Sequence, residues 1–214
     1  GTSSVIGDRS FHQHAKPIVD LASSVMDGLS SGGMKSVGKH FPGHGFIKAD
    51  THLESANDDR SLEEIQEKDM NIFKEMIKKN IAGVMPSHVI YSSCDQKPAG
   101  FSKFWLEGQL RKILNFEGAI FSDDMGMKAA QIYEKDLVSR VRKCLEAGCD
   151  MVLVCNQGDY VDKVLNKLLW KQDSISKERL SNMRRDYFKN NEGDSSQLNF
   201  CYEGAKKAIK ELKK

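Results

Sequence analysis

The sequence lacks an excess of charge of either sign. Its 32 lysines and arginines face 30 aspartates and glutamates, a net charge of +2. Most lysines fall at helical spacing among glutamates, as on solvated helix faces, so neither a nucleic-acid nor a membrane partner is expected. There is no C-x-x-C pair, and the five cysteines are odd in number, which argues against a disulfide framework. Cys144, Cys149 and Cys155 lie in or beside apolar segments and are expected to be buried free thiols in a reducing cytoplasm. No apolar run is long enough to cross a bilayer, and no secretory signal is visible. An initiator Met is missing too. The opening "GTSSVIGDRSFH" is loop-like and is expected to be an internal segment of something longer. No G-x-G-x-x-G occurs, because "GHGFIKAD" lacks the third glycine.

What is present is an ordinary core-forming composition, 39% hydrophobic and 29% charged. Four apolar runs stand out, near 35–41, 81–91, 117–125 and 149–156, each bounded by glycine, asparagine or polar residues as buried strands are. Helical patterns lie between them. One precedes the first run ("PIVDLASSVMDGLSSGG"). Others are "SLEEIQEKDMNIFKEMIKKN", opened by a Ser61–Glu64 capping box, then "SKFWLEGQLRKIL" and "EKDLVSRVRKCLEAG". Further helices are expected near 159–170, 177–190 and 203–213. Alternation of this kind predicts a parallel sheet covered on both faces. Reactive residue types cluster just after each strand: Lys39 and His40, His88, Asp123 and Asp124, Asn156. That placement suits the C-terminal face of a (β/α)8 TIM barrel. Four βα units make half of one, so the chain, read as a single domain over 1–214, needs its N-terminal half.

The stretch "KHFPGHGFIKADTH" packs three histidines and an aspartate into one loop. His40, His44 and His52 are metal-ligand types. However, no H-E-x-x-H is present, and Pro42 precludes a helix that would align His40 with His44. A polar loop holding unrelated histidines is the second reading. In the third, Asp50 and His52, two apart in extended chain, form an acid–base pair whose aspartate fixes the imidazole tautomer. A carboxylate nucleophile is then available in "IFSDDMGM". One of its two aspartates could be a helix cap, but a cap does not need both.

The ordered set "KHFPGHG", "ADTH", "VMPSHVIY", "FSDDMGM" and "AGCDMVLVCN" resembles the cytoplasmic β-N-acetylglucosaminidases of glycoside hydrolase family 3, bacterial enzymes of cell-wall recycling. The resemblance weakens after about residue 160. It implies a retaining two-step mechanism on N-acetylglucosamine linked to anhydro-muropeptides, with no cofactor or metal and with a monomeric full-length form. Asp123 is then the nucleophile, His52 the proton donor and acceptor, and Asp50 its orienting partner. Arg9, Lys39 and His40 hold the sugar, while His44 and His88 support. Family 3 β-glucosidases take a glutamate from a separate domain instead, so the D-x-H loop favours the acetylglucosaminidase branch. Two other readings stay open: a metal-dependent hydrolase built on His40, His44 and His52, and a sugar-binding remnant.

Overall fold

The computed structural model describes residues 6–47, 51, 54–156, 158–184, 204 and 206–207. Chain contacts divide it into two units, Gly1–Arg184 and Arg185–Lys214. In the second, residues 204, 206 and 207 are helical, and most of the helix expected over 203–213 lies outside the described residues.

The first unit opens with helix α1 (Ala15–Ser31). Pro17 sits in its first turn, where amides have no helical partner to lose. Strand β1 (Val37–Phe41) follows, then a short β2 (Ala56–Asp58) and helix α2 over residues 62–78. The Ser61 hydroxyl accepts from the Glu64 amide and the Glu64 carboxylate accepts from the Ser61 amide, so the capping box is formed. The middle turn of α2, Gln66–Met70, is π-wound. Next come β3 (Gly83–Pro86), β4 (Val89–Tyr91) and α3 (Phe104–Ile113), which is π-wound throughout. After them lie β5 (Ala119–Asp124), α4 (Lys128–Tyr133), α5 (Leu137–Ala147), β6 (Met151–Leu153), α6 (Gly158–Lys167) and α7 (Ser174–Asn182). Gly148 ends α5 at φ 119°, a conformation that residues with a Cβ rarely adopt.

The main sheet is parallel, in the order β1-β3-β5-β6. Sheet order therefore follows chain order, with no point where the winding reverses. That separates it from a doubly wound sheet, whose ligand crevice lies at such a reversal. Right-handed crossovers then put the helices that connect these strands on one face. On that face Gly38 lies against Phe73 and Ile81. Trp105, fully buried, packs edge-on against Phe41, Tyr91 and Phe104. The core continues through Ile65, Met70, Leu106, Leu110, Val141 and Cys144. On the other face Val37 and Lys39 are exposed. Among the described residues β1 and β6 each have a sheet neighbour on one side only. At the N-terminal ends of the strands, Arg179 of α7 donates to the Glu117 carbonyl, and Arg111 donates to Asp150, which also accepts the Ile120 amide.

Two expectations need correction, and one element was not foreseen. The run over 81–91 is not one strand. Pro86 has no amide to donate, the chain turns through Ser87 and His88, and Val89–Tyr91 leaves the main sheet to pair in parallel with β2. Helix α4 was not expected. Cys144 and Cys149 are buried, but Cys155 is exposed, because it lies beyond the end of the edge strand β6. Among the described residues no helix is long and apolar enough to cross a membrane.

Candidate active site

Three strands deliver their polar ends to one place. From β1, His40 sets its Nε2 3.7 Å from Oδ2 of Asp123 at the end of β5. The ring of His44 meets that of His40 edge-on, with centroids 5.6 Å apart. Just beyond β3, His88 stacks on Phe101 and places Nε2 3.1 Å from the backbone carbonyl of Asp124. A carbonyl only accepts, so Nε2 carries the proton there.

The two adjacent aspartates have different environments. Oδ1 of Asp124 accepts from the amides of Gly126, at 2.9 Å, and Cys155, at 2.8 Å, tying the turn after β5 to the end of β6. Its carboxylate thus serves the backbone, as a capping aspartate does. Asp123 accepts its neighbour's amide on Oδ1, at 2.8 Å, and turns Oδ2 to His40. Of the pair, Asp123 is the carboxylate presented to the site.

Burial pushes the His40 imidazole from its usual 6.5 down to about 4. The Asp123 charge works against that shift, and the charges of Lys39, His44 and Arg9 work with it. Arg9 and Lys39, though exposed, thus both lie close enough to His40 to be felt. The buried His88 imidazole is lowered for the same first reason. Between the folded and unfolded values of His40 the unfolded chain binds more protons, so stability rises with pH from about 4 to 6.5 and is lost as pH falls through that window. Melting temperatures followed from pH 7 to 4 should drop, and His40→Asn should reduce the slope by up to about one proton's worth. An unchanged slope in His40→Asn would contradict this account.

The loop after β1 is held from beneath. Gly43 lies so close to Asp69 that a Cβ there would stand 2.2 Å from its Oδ1 and 2.5 Å from its Cγ. The Tyr91 hydroxyl donates to the Gly43 carbonyl. Asp69 is fixed in turn by Arg60, whose Nη1 reaches it at 2.7 Å, while Nη2 and Nε of the same guanidinium engage fully buried Asp58. The guanidinium also lies over the Phe46 ring, 4.3 Å from its centroid. Farther along, His44 Nε2 lies 3.4 Å from the Thr51 hydroxyl, and the Ala129 amide donates to the Thr51 carbonyl. Thr51 is buried between Asp50 and His52 in sequence. Asp50 and His52 themselves lie outside the described residues. Asp58, Arg60, Asp69 and Tyr91 were not anticipated, since "NDDRSLEE" reads as an ordinary helix start and Asp69 as a solvated helix position.

The described residues therefore unite Asp123, His40, His44 and His88, with Arg9 and Lys39 within electrostatic range. No group of three or more histidine, cysteine, aspartate or glutamate side chains able to hold a metal occurs among them.

Residues 2–184 match the Glycosyl hydrolase family 3 N terminal domain, and the chain belongs to that family and to its TIM-barrel-like fold. Among curated relatives, a beta-hexosaminidase of Nitrosomonas eutropha is 48% identical over 182 residues, which are 85% of this chain and 52% of the relative. One of Haemophilus influenzae is 51% identical over 164 residues, 76% of this chain and 46% of the relative. The crystal structure of NagZ from Neisseria gonorrhoeae in complex with N-trifluoroacetyl-D-glucosamine superposes with a TM-score of 0.79 at 44% identity, covering 86% of this chain and 53% of that one. The chain spans about half the length of the curated relatives it matches.

Proposed function

We propose that the chain carries the reacting half of a retaining β-N-acetylglucosaminidase that releases terminal β-linked N-acetylglucosamine from anhydro-muropeptides during cell-wall recycling in the cytoplasm. The observation that carries this reading is Asp123 at the end of β5, one carboxylate oxygen held by its neighbour's amide and the other turned toward the half-buried His40, in a chain of family 3. The names of the relatives and the sugar analogue in the NagZ complex support the choice of substrate.

In this reading Asp123 attacks the anomeric carbon while His52 protonates the departing oxygen, giving a glycosyl-enzyme. His52 then takes a proton from water, which hydrolyses the intermediate. Asp50 holds its ring in the tautomer both steps need. His40, neutral across the physiological range, offers a hydrogen bond to the sugar without adding a charge beside the nucleophile, and Lys39 and Arg9 contact hydroxyls. The full-length form acts as a monomer, and this chain works with an N-terminal half like that of its relatives.

The test is release of a phenol from an aryl β-N-acetylglucosaminide. It compares the chain alone with the chain joined to the N-terminal half of the Nitrosomonas eutropha relative, and NMR follows the anomer first formed. Turnover with retained β-configuration in the joined form, and little in the chain alone, is expected. An inverted first product would refute the nucleophile, and equal activity in the two forms would refute the need for the other half.

A further inference from the structure

We infer that His88 is a positioning residue for the nucleophile, acting through the backbone of Asp124. This rests on the assignment of Asp123 proposed above, to which it adds the group that keeps the carboxylate aimed.

Every polar group of Asp124 is engaged. Its amide holds Oδ1 of Asp123 at 2.8 Å, and its own carboxylate takes the amides of Gly126 and Cys155. Its carbonyl accepts from the Met127 amide at 3.2 Å and from His88 Nε2 at 3.1 Å. Of these partners only His88 comes from another strand's end as a side chain; the rest are amides or the neighbouring aspartate. The His88 donor holds the carbonyl end of the peptide plane after Asp124, whose amide end is held by the Leu153 carbonyl at 2.8 Å. With that plane set, the backbone torsions of Asp124 fix the direction of its amide. That amide makes the hydrogen bond that holds Oδ1 of Asp123, so the imidazole helps to set where Oδ2 points. A misplacement of about 1 Å at a reacting group is enough to cost on the order of a hundredfold in rate.

The residue type fits the task. The ring is buried and clamped face to face on Phe101, with centroids 5.5 Å apart and planes 22° apart, and it backs onto Gly100. It therefore has little freedom to lose when it donates. Among the described residues its Nδ1 has no hydrogen-bond partner that would pull the ring away from the Asp124 carbonyl. The donor is also neutral, because burial, helped by the nearby Arg140 charge, opposes protonation more strongly than Asp123 favours it. A lysine or arginine here would donate equally well but would stabilise the carboxylate and blunt its attack. A neutral imidazole orients without that penalty.

The first arm of the experiment reads the chain itself. Nitrogen-edited NMR of the His88 ring should show the proton on Nε2; a proton on Nδ1 would overturn the inference whatever the activity. The second arm uses the joined form with His88→Phe, which keeps the ring and its stacking, and His88→Gln, whose amide nitrogen can stand where Nε2 stands. A slow-turnover substrate should label Asp123 about ten- to a hundredfold more slowly in His88→Phe, with little change in KM. In His88→Gln the rate should return to within a few fold of the parent. Melting temperatures report folding separately. If labelling slows no more than the unfolded fraction explains, or if Gln and Phe are equally slow, His88 is only a core residue. If the label lands on a residue other than Asp123, the functional proposal falls instead.

Discussion

Asp123→Ala, in the joined form, abolishes release of a phenol from an aryl β-N-acetylglucosaminide, a loss on the order of 10⁴-fold or more in kcat, as expected when a covalent catalyst is removed. The protein still folds, because Asp123 makes one hydrogen bond to its neighbour's amide and lies 3.7 Å from His40 without further described bonds. Asp124→Ala makes the useful contrast. It strips the acceptor from the Gly126 and Cys155 amides, so its main effect is on the melting temperature, at about 1.5–3 kcal/mol for bonds to a charged group. His52→Ala behaves differently again. It slows substrates with poor leaving groups most and, on an activated aryl glycoside, is partly rescued by azide, which needs no proton removed. An Asp124→Ala enzyme that is dead while Asp123→Ala turns over normally would reverse the assignment within the pair.

Gly43→Ala should lower stability by about 3–5 kcal/mol and collapse turnover with it. The new methyl group would stand 2.2–2.5 Å from three atoms of Asp69. That side chain cannot step aside cheaply, because moving it breaks its 2.7 Å bond to Arg60 and leaves a buried guanidinium short of a partner. The loop would have to move instead, taking with it the Gly43 carbonyl that Tyr91 holds and the His44 ring that meets His40. Gly45→Ala is the control two residues on, since a Cβ there meets nothing within 4 Å. The measurement is a melting curve and an aryl-glycoside assay for both variants. Equal behaviour of the two would refute the idea that Asp69 braces this loop.

The four main strands were legible because each is a short apolar run with polar bounds, and the observed strands fall inside the expected spans. Their shared polar ends followed from the topology, so the meeting of His40, His88 and Asp123 could be anticipated. The strands β2 and β4 could not. Each is three residues long, and β2 is "AND", whose only claim to be a strand is its partner. Helix α4 has no side-chain cap to announce it. Strand pattern alone also could not say which of Asp123 and Asp124 turns inward, and only the family resemblance pointed to Asp123, because that choice is made by the Cys155 amide arriving from the next strand. The Asp58–Arg60–Asp69 brace was hidden for a related reason. Arg60 and Asp69 look like separate surface charges until β2 and the π-wound turn of α2 bring them together.

The agreement between sheet order and chain order bears on how the molecule comes into being. After β1, each strand of the main sheet hydrogen-bonds to the main-sheet strand made just before it, and β4 likewise returns to β2. Among the described strands of the main sheet, each new one finds its neighbour already made. Loop-closure entropy is therefore met in modest instalments. The polypeptide can add one βα layer at a time in the direction in which a ribosome delivers it.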